Sequence, residues 1–176
     1  MSRQSYKPGK GNFGVTENRE KPIMARTYPQ LKQFKPKNPQ KYVGDINDIV
    51  MRSSWETKFA NYCDSNPSIL EWNSEGVKVP YWSSADNKER TYHVDFLITM
   101  RNNQGKVETL MIEIKPYKQT IKPVKTKGKR EETFLNECYT YQVNMDKWQY
   151  ANKYAKERGW RFVVMTEEQL YNTKVK

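Results

Sequence analysis

Two carboxylates and one lysine fall at spacings that can bring them together at one point. Glu113 and Lys115 are two residues apart in the alternating segment VETLMIEIK, so both side chains should lie on one face of a strand, about 6.6 Å apart along it. Asp95 lies in the alternating segment before this one. If the two strands pair through the turn at Gly105, Asp95 comes near Glu113, and an ammonium group lies beside two carboxylates.

Such a cluster suits a hard divalent cation and the chemistry of phosphate esters. Carboxylates and the intervening backbone carbonyl of Ile114 are oxygen ligands of the kind that Mg²⁺ prefers, and Mn²⁺ is the expected substitute. The ion would polarise a phosphoryl oxygen and lower the pKa of a bound water, and Lys115 would orient or deprotonate that water or stabilise charge on the phosphate. The pattern therefore predicts a Mg²⁺-dependent phosphodiesterase whose strand residues are Asp95, Glu113 and Lys115.

Glu56 is a candidate third carboxylate, which projects from the first predicted helix. It would bind the metal directly or through water, or hold a second ion. Its spacing from Ser53 also matches the Ser-x-x-Glu capping box, in which the glutamate closes a helix N-terminus. Spacing alone leaves both roles open.

The strand residues also have structural explanations. Glu113 and Lys115 alternate with apolar residues, as on the solvent-exposed face of a strand. Asp95 is harder to explain in this way, because a carboxylate in an apolar strand is costly to bury unless it is paired or bound to metal. We interpret His93, on the predicted face of Asp95, and Glu75, before the second strand, as structural residues.

Helical spacing and alternation predict the elements that position these residues. Helices are expected over 53–65 and 132–158, with Asn144 as a candidate cap that would divide the second one and Gly159 as its end. A short helix follows from about Glu167. Sequential hairpin strands and a late helical crossover predict an α/β fold, a mixed sheet flanked by helices. The expected strands are 68–74, 77–82, 90–100, 107–115 and 160–166.

The basic charge of the chain is concentrated in two segments. The 176 residues carry a net charge of +11. Residues 1–46 contain ten basic and three acidic residues, residues 116–130 contain six basic residues and no acid, and the remainder sums to −2. This excess favours a polyanionic partner, nucleic acid before an anionic membrane surface. No apolar run approaches the roughly 20 residues that span a bilayer, and the first residues lack the apolar core of a secretory signal, so no membrane role is expected.

Both basic segments are rich in Pro and Gly. We interpret residues 1–45 as a basic, extended or partly disordered arm, residues 46–176 as the folded domain, and residues 116–131 as a basic loop within it. Contact with DNA phosphates would release counterions whatever the base sequence, although solubilising segments have the same composition. The predicted DNA-binding residues are Arg52, Lys118, Lys122, Lys125, Lys127, Lys129 and Arg130.

An ordered series of motifs gives the chain a family resemblance. The series is Arg52-Ser53-x-Trp55-Glu56, Ser74-Glu75 with Pro80-Tyr81, Arg90-x-Tyr92-x-x-Asp95-Phe96, Ile112-Glu113-Ile114-Lys115-Pro116, Phe134-x-Asn136-Glu137, Tyr141-x-Val143-Asn144-x-Asp146-Lys147-Trp148 and Thr166-Glu167. Together these motifs, over about residues 38–172, resemble the TnsA-like endonucleases of the PD-(D/E)xK superfamily. Within that group the series is most similar to the head completion nucleases of T-even-type tailed phages.

The resemblance implies a restriction-endonuclease-like fold and a site. The catalytic positions fall on Glu56, Asp95, Glu113 and Lys115, with Glu56 joining Asp95, Glu113 and Ile114 as a metal ligand. It also implies action on packaged double-stranded DNA, so that a filled head can join a tail. The implied partners are phage head, portal or neck proteins. The implied location is the host cytoplasm during assembly, with the head–neck region of the virion as a second location.

Two other functions remain open at the level of sequence. A non-catalytic neck protein could keep the nuclease fold as a DNA-binding plug, although all four catalytic residue types are present. A transposase or repair endonuclease subunit could share the TnsA-like fold. The sequence also leaves open endonucleolytic or exonucleolytic cleavage, one or two metal ions, the oligomeric state and the role of residues 1–37.

Overall fold

A four-stranded mixed sheet carries the strands that hold the predicted site. The computed structural model describes residues 31–172. The strands of this sheet are β3 (Ile69–Ser74), β6 (Phe96–Arg101), β7 (Val107–Ile114) and β8 (Arg161–Met165). Three strands pair antiparallel in the order β3, β6, β7, and β8 then joins β7 in parallel. This arrangement confirms the predicted mixed sheet.

Helices cover both faces of this sheet. The core on one face contains residues of α1 (Ser54–Ser65) and α3 (Glu167–Asn172) together with Ile112. The core on the other face contains Met111 and residues of α2 (Glu131–Lys156). Because side chains alternate along a strand, Glu113 shares the face of Met111, on the α2 side. The expected flanking helices are thus confirmed.

A separate hairpin of β4 (Lys78–Ser83) and β5 (Lys88–His93) packs on α2. Asp146 of α2 is buried and accepts hydrogen bonds from the backbone N–H of Ser84 at 2.7 Å and from its hydroxyl. These bonds connect the tip of the hairpin to the middle of the helix. The hairpin therefore holds a fixed position above the sheet face that carries Glu113.

The prediction of a single strand over 90–100 is wrong, because Val94 and Asp95 interrupt it and separate β5 from β6. β5 pairs with β4 and β6 pairs with β3 and β7, so the chain must change sheets between them. Val94 consequently packs in the α2-side core and Phe96 in the α1-side core, although simple alternation puts them on one face. Asp95 occupies the bend where the chain changes sheets.

The long helix α2 is continuous over 26 residues, so Asn144 lies in its interior rather than at a cap. Its end is as predicted. Gly159 has a φ of 69°, its N–H donates to the carbonyl of Lys156, and the N–H of Trp160 donates to that of Ala155. These two bonds form a Schellman motif, whose left-handed position favours glycine.

The structure differs from the predicted arm over residues 31–45, which are fastened to the domain. Strand β1 (Lys32–Gln33) pairs with β2 (Val50–Met51), and a short 3₁₀ helix covers Pro39–Lys41. The buried carboxylate of Asp64 accepts hydrogen bonds from the N–H groups of residues 37 and 38 at 2.8 and 3.0 Å. The rest of the predicted arm, residues 1–30, lies outside the described residues.

Lys41 adds a second connection at the end of α1. Its ammonium donates to the carbonyls of Cys63, Asp64 and Asn66 at 3.0, 3.0 and 2.7 Å. A cation at a helix C-terminus meets carbonyls that have no partner within the helix. Composition could not show this, because the contacts join residues more than 20 positions apart. Within residues 31–172, no helix is both long and apolar enough to cross a lipid bilayer.

Replacing Asp64 with alanine should detach the segment that precedes α1. The change leaves two backbone N–H groups without their acceptor, which should lower the free energy of unfolding by about 2–4 kcal/mol. Urea denaturation measures the loss. Asp48→Ala, at an exposed carboxylate of the same segment, is the matched control and should change stability by less than about 0.5 kcal/mol. Equal stability of the two variants would show that this anchor is unimportant.

Candidate active site

The structure brings Asp95, Glu113 and Lys115 together at the end of β7. The antiparallel register pairs Phe96 of β6 with Ile112 of β7, so Asp95 and Glu113 are opposite each other at the next position. Asp95 Oδ2 accepts a hydrogen bond of 2.8 Å from the N–H of Ile114. Two carboxylates therefore converge on the α2 side of the sheet, and their roles in catalysis stay a prediction.

Lys115 supplies the positive charge beside this pair. Its ammonium lies 2.9 Å from Glu113 Oε1, and its side chain is 26% exposed. Burial alone would lower the pKa of Lys115, but the carboxylates of Glu113 and Asp95 outweigh it and raise that pKa. Lys115 is thus a protonated cation, suited to stabilising charge on a phosphate rather than to removing a proton from water.

Tyr92 holds the other oxygen of Glu113 and was not anticipated from the sequence. Its hydroxyl donates to Glu113 Oε2 at 2.5 Å, and both side chains are buried. Burial and then the Glu113 carboxylate raise the pKa of Tyr92 far above its ordinary value, so the hydroxyl keeps its proton and donates. The only sequence feature that pointed to Tyr92 was its place in the family motif, three residues before Asp95.

The donor set fits a hard divalent cation. Burial, and next the charge of Glu113, raise the pKa of Asp95 well above its ordinary value, against the opposing effect of Lys115. A dication would offset this repulsion, and two carboxylates suit an ion that keeps several waters. Within residues 31–172, no group of three or more His, Cys, Asp or Glu side chains is arranged to hold a metal. The pair would therefore share its ion with water, a backbone carbonyl or substrate oxygens.

Glu56 closes the N-terminus of α1 in a variant of the capping box, because its carboxylate accepts from the N–H of Arg52 rather than from that of Ser53. Its Oε1 lies 2.8 Å from the hydroxyl of Ser53, its own N–H donates to that hydroxyl at 3.1 Å, and its Oε2 accepts from the N–H of Arg52 at 2.8 Å. The charge of Glu56 still contributes, as the smallest cause, to the raised pKa values of Asp95 and Lys115. Its carboxylate is thus engaged in the cap and within electrostatic range of the site.

Arg52 lies at the rim of the site, where it is paired with Glu75. Its guanidinium makes two bonds to that carboxylate, of 2.6 and 3.0 Å. Glu75 has a positive φ of 54°, and its N–H donates to the carbonyl of Asp95 at 3.1 Å. An exposed pair of this kind stabilises little, and contact of Arg52 with DNA stays a prediction.

The basic loop folds back towards the N-terminal part of α2. Lys125 is paired with Glu131, and Lys129 lies 2.8 Å from Glu137. Among the described residues, the other four predicted DNA-binding residues of the loop make no ion pair: Lys118, Lys122, Lys127 and Arg130. Loop and helix enclose a groove of about 550 Å³, lined in part by Lys118, Lys122, Lys129 and Tyr141.

The raised pKa of Asp95 predicts that Asp95→Asn stabilises the metal-free protein. Between the ordinary pKa of aspartate and the higher folded value, the folded state binds more protons than the unfolded state, so wild-type stability falls as pH rises. Asparagine never ionises and can still accept from Ile114 N–H. Thermal unfolding in EDTA should show a gain of roughly 2–6 °C at pH 8 that disappears near pH 4. A lower midpoint at pH 8 would contradict the prediction.

Comparisons with known proteins agree with this geometry. The TnsA-like endonuclease N-terminal family matches residues 66–167, which include Asp95, Glu113 and Lys115. The head completion nuclease of Enterobacteria phage T4 is 41% identical to the chain over 138 residues, which are 77% of this chain and 89% of the phage protein. A match over more than half of the chain, and a relative aligned over most of both lengths, confirm the resemblance seen in the motifs. The chain belongs to the family of TnsA-like endonucleases.

Proposed function

We propose that this chain is a metal-dependent DNA nuclease of phage assembly, which cuts or trims packaged DNA so that a filled head can be completed and joined to a tail. The observation that carries the proposal is the pairing of the buried carboxylate of Glu113 with the half-buried carboxylate of Asp95, with the Lys115 ammonium 2.9 Å from Glu113. Membership of an endonuclease family and similarity to a head completion nuclease support it.

Asp95 and Glu113 would hold Mg²⁺, or Mn²⁺ in its place, with the Ile114 carbonyl as a further oxygen ligand and Glu56 as an added carboxylate. When bound, the ion would supply Lewis-acid activation of the phosphodiester and a water of lowered pKa. The preference for these ions follows from the ligand set, which is all oxygen and carries two negative charges on Asp95 and Glu113, with a third where Glu56 joins them.

The chain's own residues hold this arrangement before substrate arrives. Tyr92 and Lys115 each bind one oxygen of Glu113, and the N–H of Ile114 binds Asp95. Groups fixed in this way need little reorganisation when charge develops on the phosphate. The ammonium of Lys115 is the positive charge on the strand that would meet it.

Duplex DNA is the proposed substrate, and recognition is through charge. The chain has a net charge of +11, and Lys118, Lys122, Lys127 and Arg130 are exposed on the basic loop. Phosphate contacts of this kind position DNA without selecting sequence. We place the activity in the host cytoplasm during assembly or at the head–neck region of the particle, with portal or neck proteins as partners.

Loss of the site charges should abolish cleavage without loss of the fold. Glu113→Gln and Lys115→Met should each slow nicking of supercoiled plasmid in Mg²⁺ or Mn²⁺ by about 100-fold or more, because the first removes a charged metal ligand and the second removes the cation that meets the phosphate. Glu71→Gln, at an exposed carboxylate of the same sheet, is the matched control and should nick at the wild-type rate. A wild type that is inert with both ions, yet folded and bound to DNA, would contradict the proposal.

The two roles of Glu56 can be separated by a pair of variants. Glu56→Gln keeps an acceptor for the capping box but loses the charge, so it should unfold at the wild-type urea concentration and cleave at least about 10-fold more slowly. Ser53→Ala removes the cap but keeps the carboxylate, so it should lose about 1 kcal/mol of stability and retain activity. Wild-type cleavage by Glu56→Gln would assign Glu56 to the cap alone.

A further inference from the structure

Helix α2 faces β7 across the site and places Lys147 there. The ammonium of Lys147 lies 5.5 Å from the ring centroid of Tyr92, whose hydroxyl donates to Glu113. The side chain of Lys147 is half-buried, and α2 packs against both β4 and β7. A cation thus stands over the aromatic ring that supports the carboxylate pair.

The electrostatic environment of Lys147 is that of the active site. Burial lowers the pKa of Lys147; Glu113 and Asp95 act to raise it, and Lys115 and Arg90 act to lower it further. When Asp95, Glu113, Lys115 and Lys147 are all ionised, their charges cancel. A divalent cation would leave an excess of two positive charges, which suits a phosphodiester as negative charge accumulates on it.

Lys147 has no acceptor of its own within residues 31–172. It makes no ion pair and no hydrogen bond there, whereas Lys115, Lys125 and Lys129 are all paired. The nitrogen of Lys147 is not fully buried, so a ligand can reach it. An ammonium carries three donors, and a half-buried one without an acceptor is costly unless a ligand provides it.

We infer that Lys147 is a phosphate-binding residue on α2, whose ammonium holds non-bridging oxygens of the DNA phosphate that is cleaved. The inference rests on the proposed nuclease function and adds a second cation to the site. Lys115 would contact the phosphate from the strand and Lys147 from the helix, with the carboxylate pair between them. Lys147 is thereby a substrate-binding cation of the reaction.

Salt-dependent DNA binding tests this site without relying on cleavage. A short duplex is titrated in Ca²⁺ over a series of salt concentrations, for wild type and Lys147→Met. A lost phosphate contact should reduce the slope of log K against log salt by about 0.9 in Lys147→Met. Lys156→Met, at an exposed lysine of the same helix, is the control and should keep the wild-type slope.

Cleavage in Mg²⁺ gives the second readout. Lys147→Met should lower kcat about 100-fold with a smaller effect on KM, and Lys147→Arg should recover part of both kcat and the slope, since it restores the charge. Lys147→Gln, which removes the charge but keeps a polar side chain, takes the place of the methionine variant if that one fails to fold, with the same expected loss of slope.

An unchanged slope in Lys147→Met overturns the inference whether or not the protein cleaves DNA. If half-saturation of that variant also falls at a lower metal concentration, Lys147 only offsets the carboxylates. A wild type that never cleaves would instead contradict the proposed function, while the binding slope still decides the role of Lys147.

Discussion

The placement of two carboxylates side by side, Glu113 buried and Asp95 half-buried, is the constraint on which the rest of this structure depends. Two unit charges about 4 Å apart repel by about 4 kcal/mol at an effective dielectric constant of about 20. One hydrogen bond to a charged group contributes about 1.5–3 kcal/mol, so a single donor cannot offset such repulsion. The fold accordingly surrounds Asp95 and Glu113 with a backbone N–H, a tyrosine hydroxyl and an ammonium. A site built at this cost to stability is typical of function rather than of packing.

Sequence patterns over a few residues predicted the strand residues of the site but not Tyr92 and Lys147, which reach it from the hairpin and from α2. Glu113 and Lys115 follow from alternation, and Asp95 from a hairpin turn, because both depend on residues close in sequence. Tyr92 and Lys147 reach the site only because β5 leaves the main sheet and its hairpin docks on α2. Alternation runs unbroken through the bend, so no local pattern marks the change of sheet. The family motifs contained both residues without indicating what they touch.

Counting charges predicted the basic character of the chain but overstated the charge that is free. Lys41 is engaged with carbonyls at the end of α1, and Lys125 and Lys129 are paired with acids of α2. These long-range contacts also explain why a Pro- and Lys-rich stretch over 31–45 belongs to the domain. Composition reports the number of charges, whereas partners set by the fold decide which of them can meet DNA.

The change of sheet at Asp95 has a consequence for how the family can vary in length. Tyr92 belongs to the hairpin and Phe96 to the main sheet. The three residues between them therefore fix which face each of these side chains lies on. One inserted residue there would turn either the tyrosine or the aspartate away from Glu113. The turns around Asn87 and Gly105 join strands within a single sheet and can lengthen without this effect. Insertions and deletions among relatives should therefore collect in those turns and avoid residues 92–96.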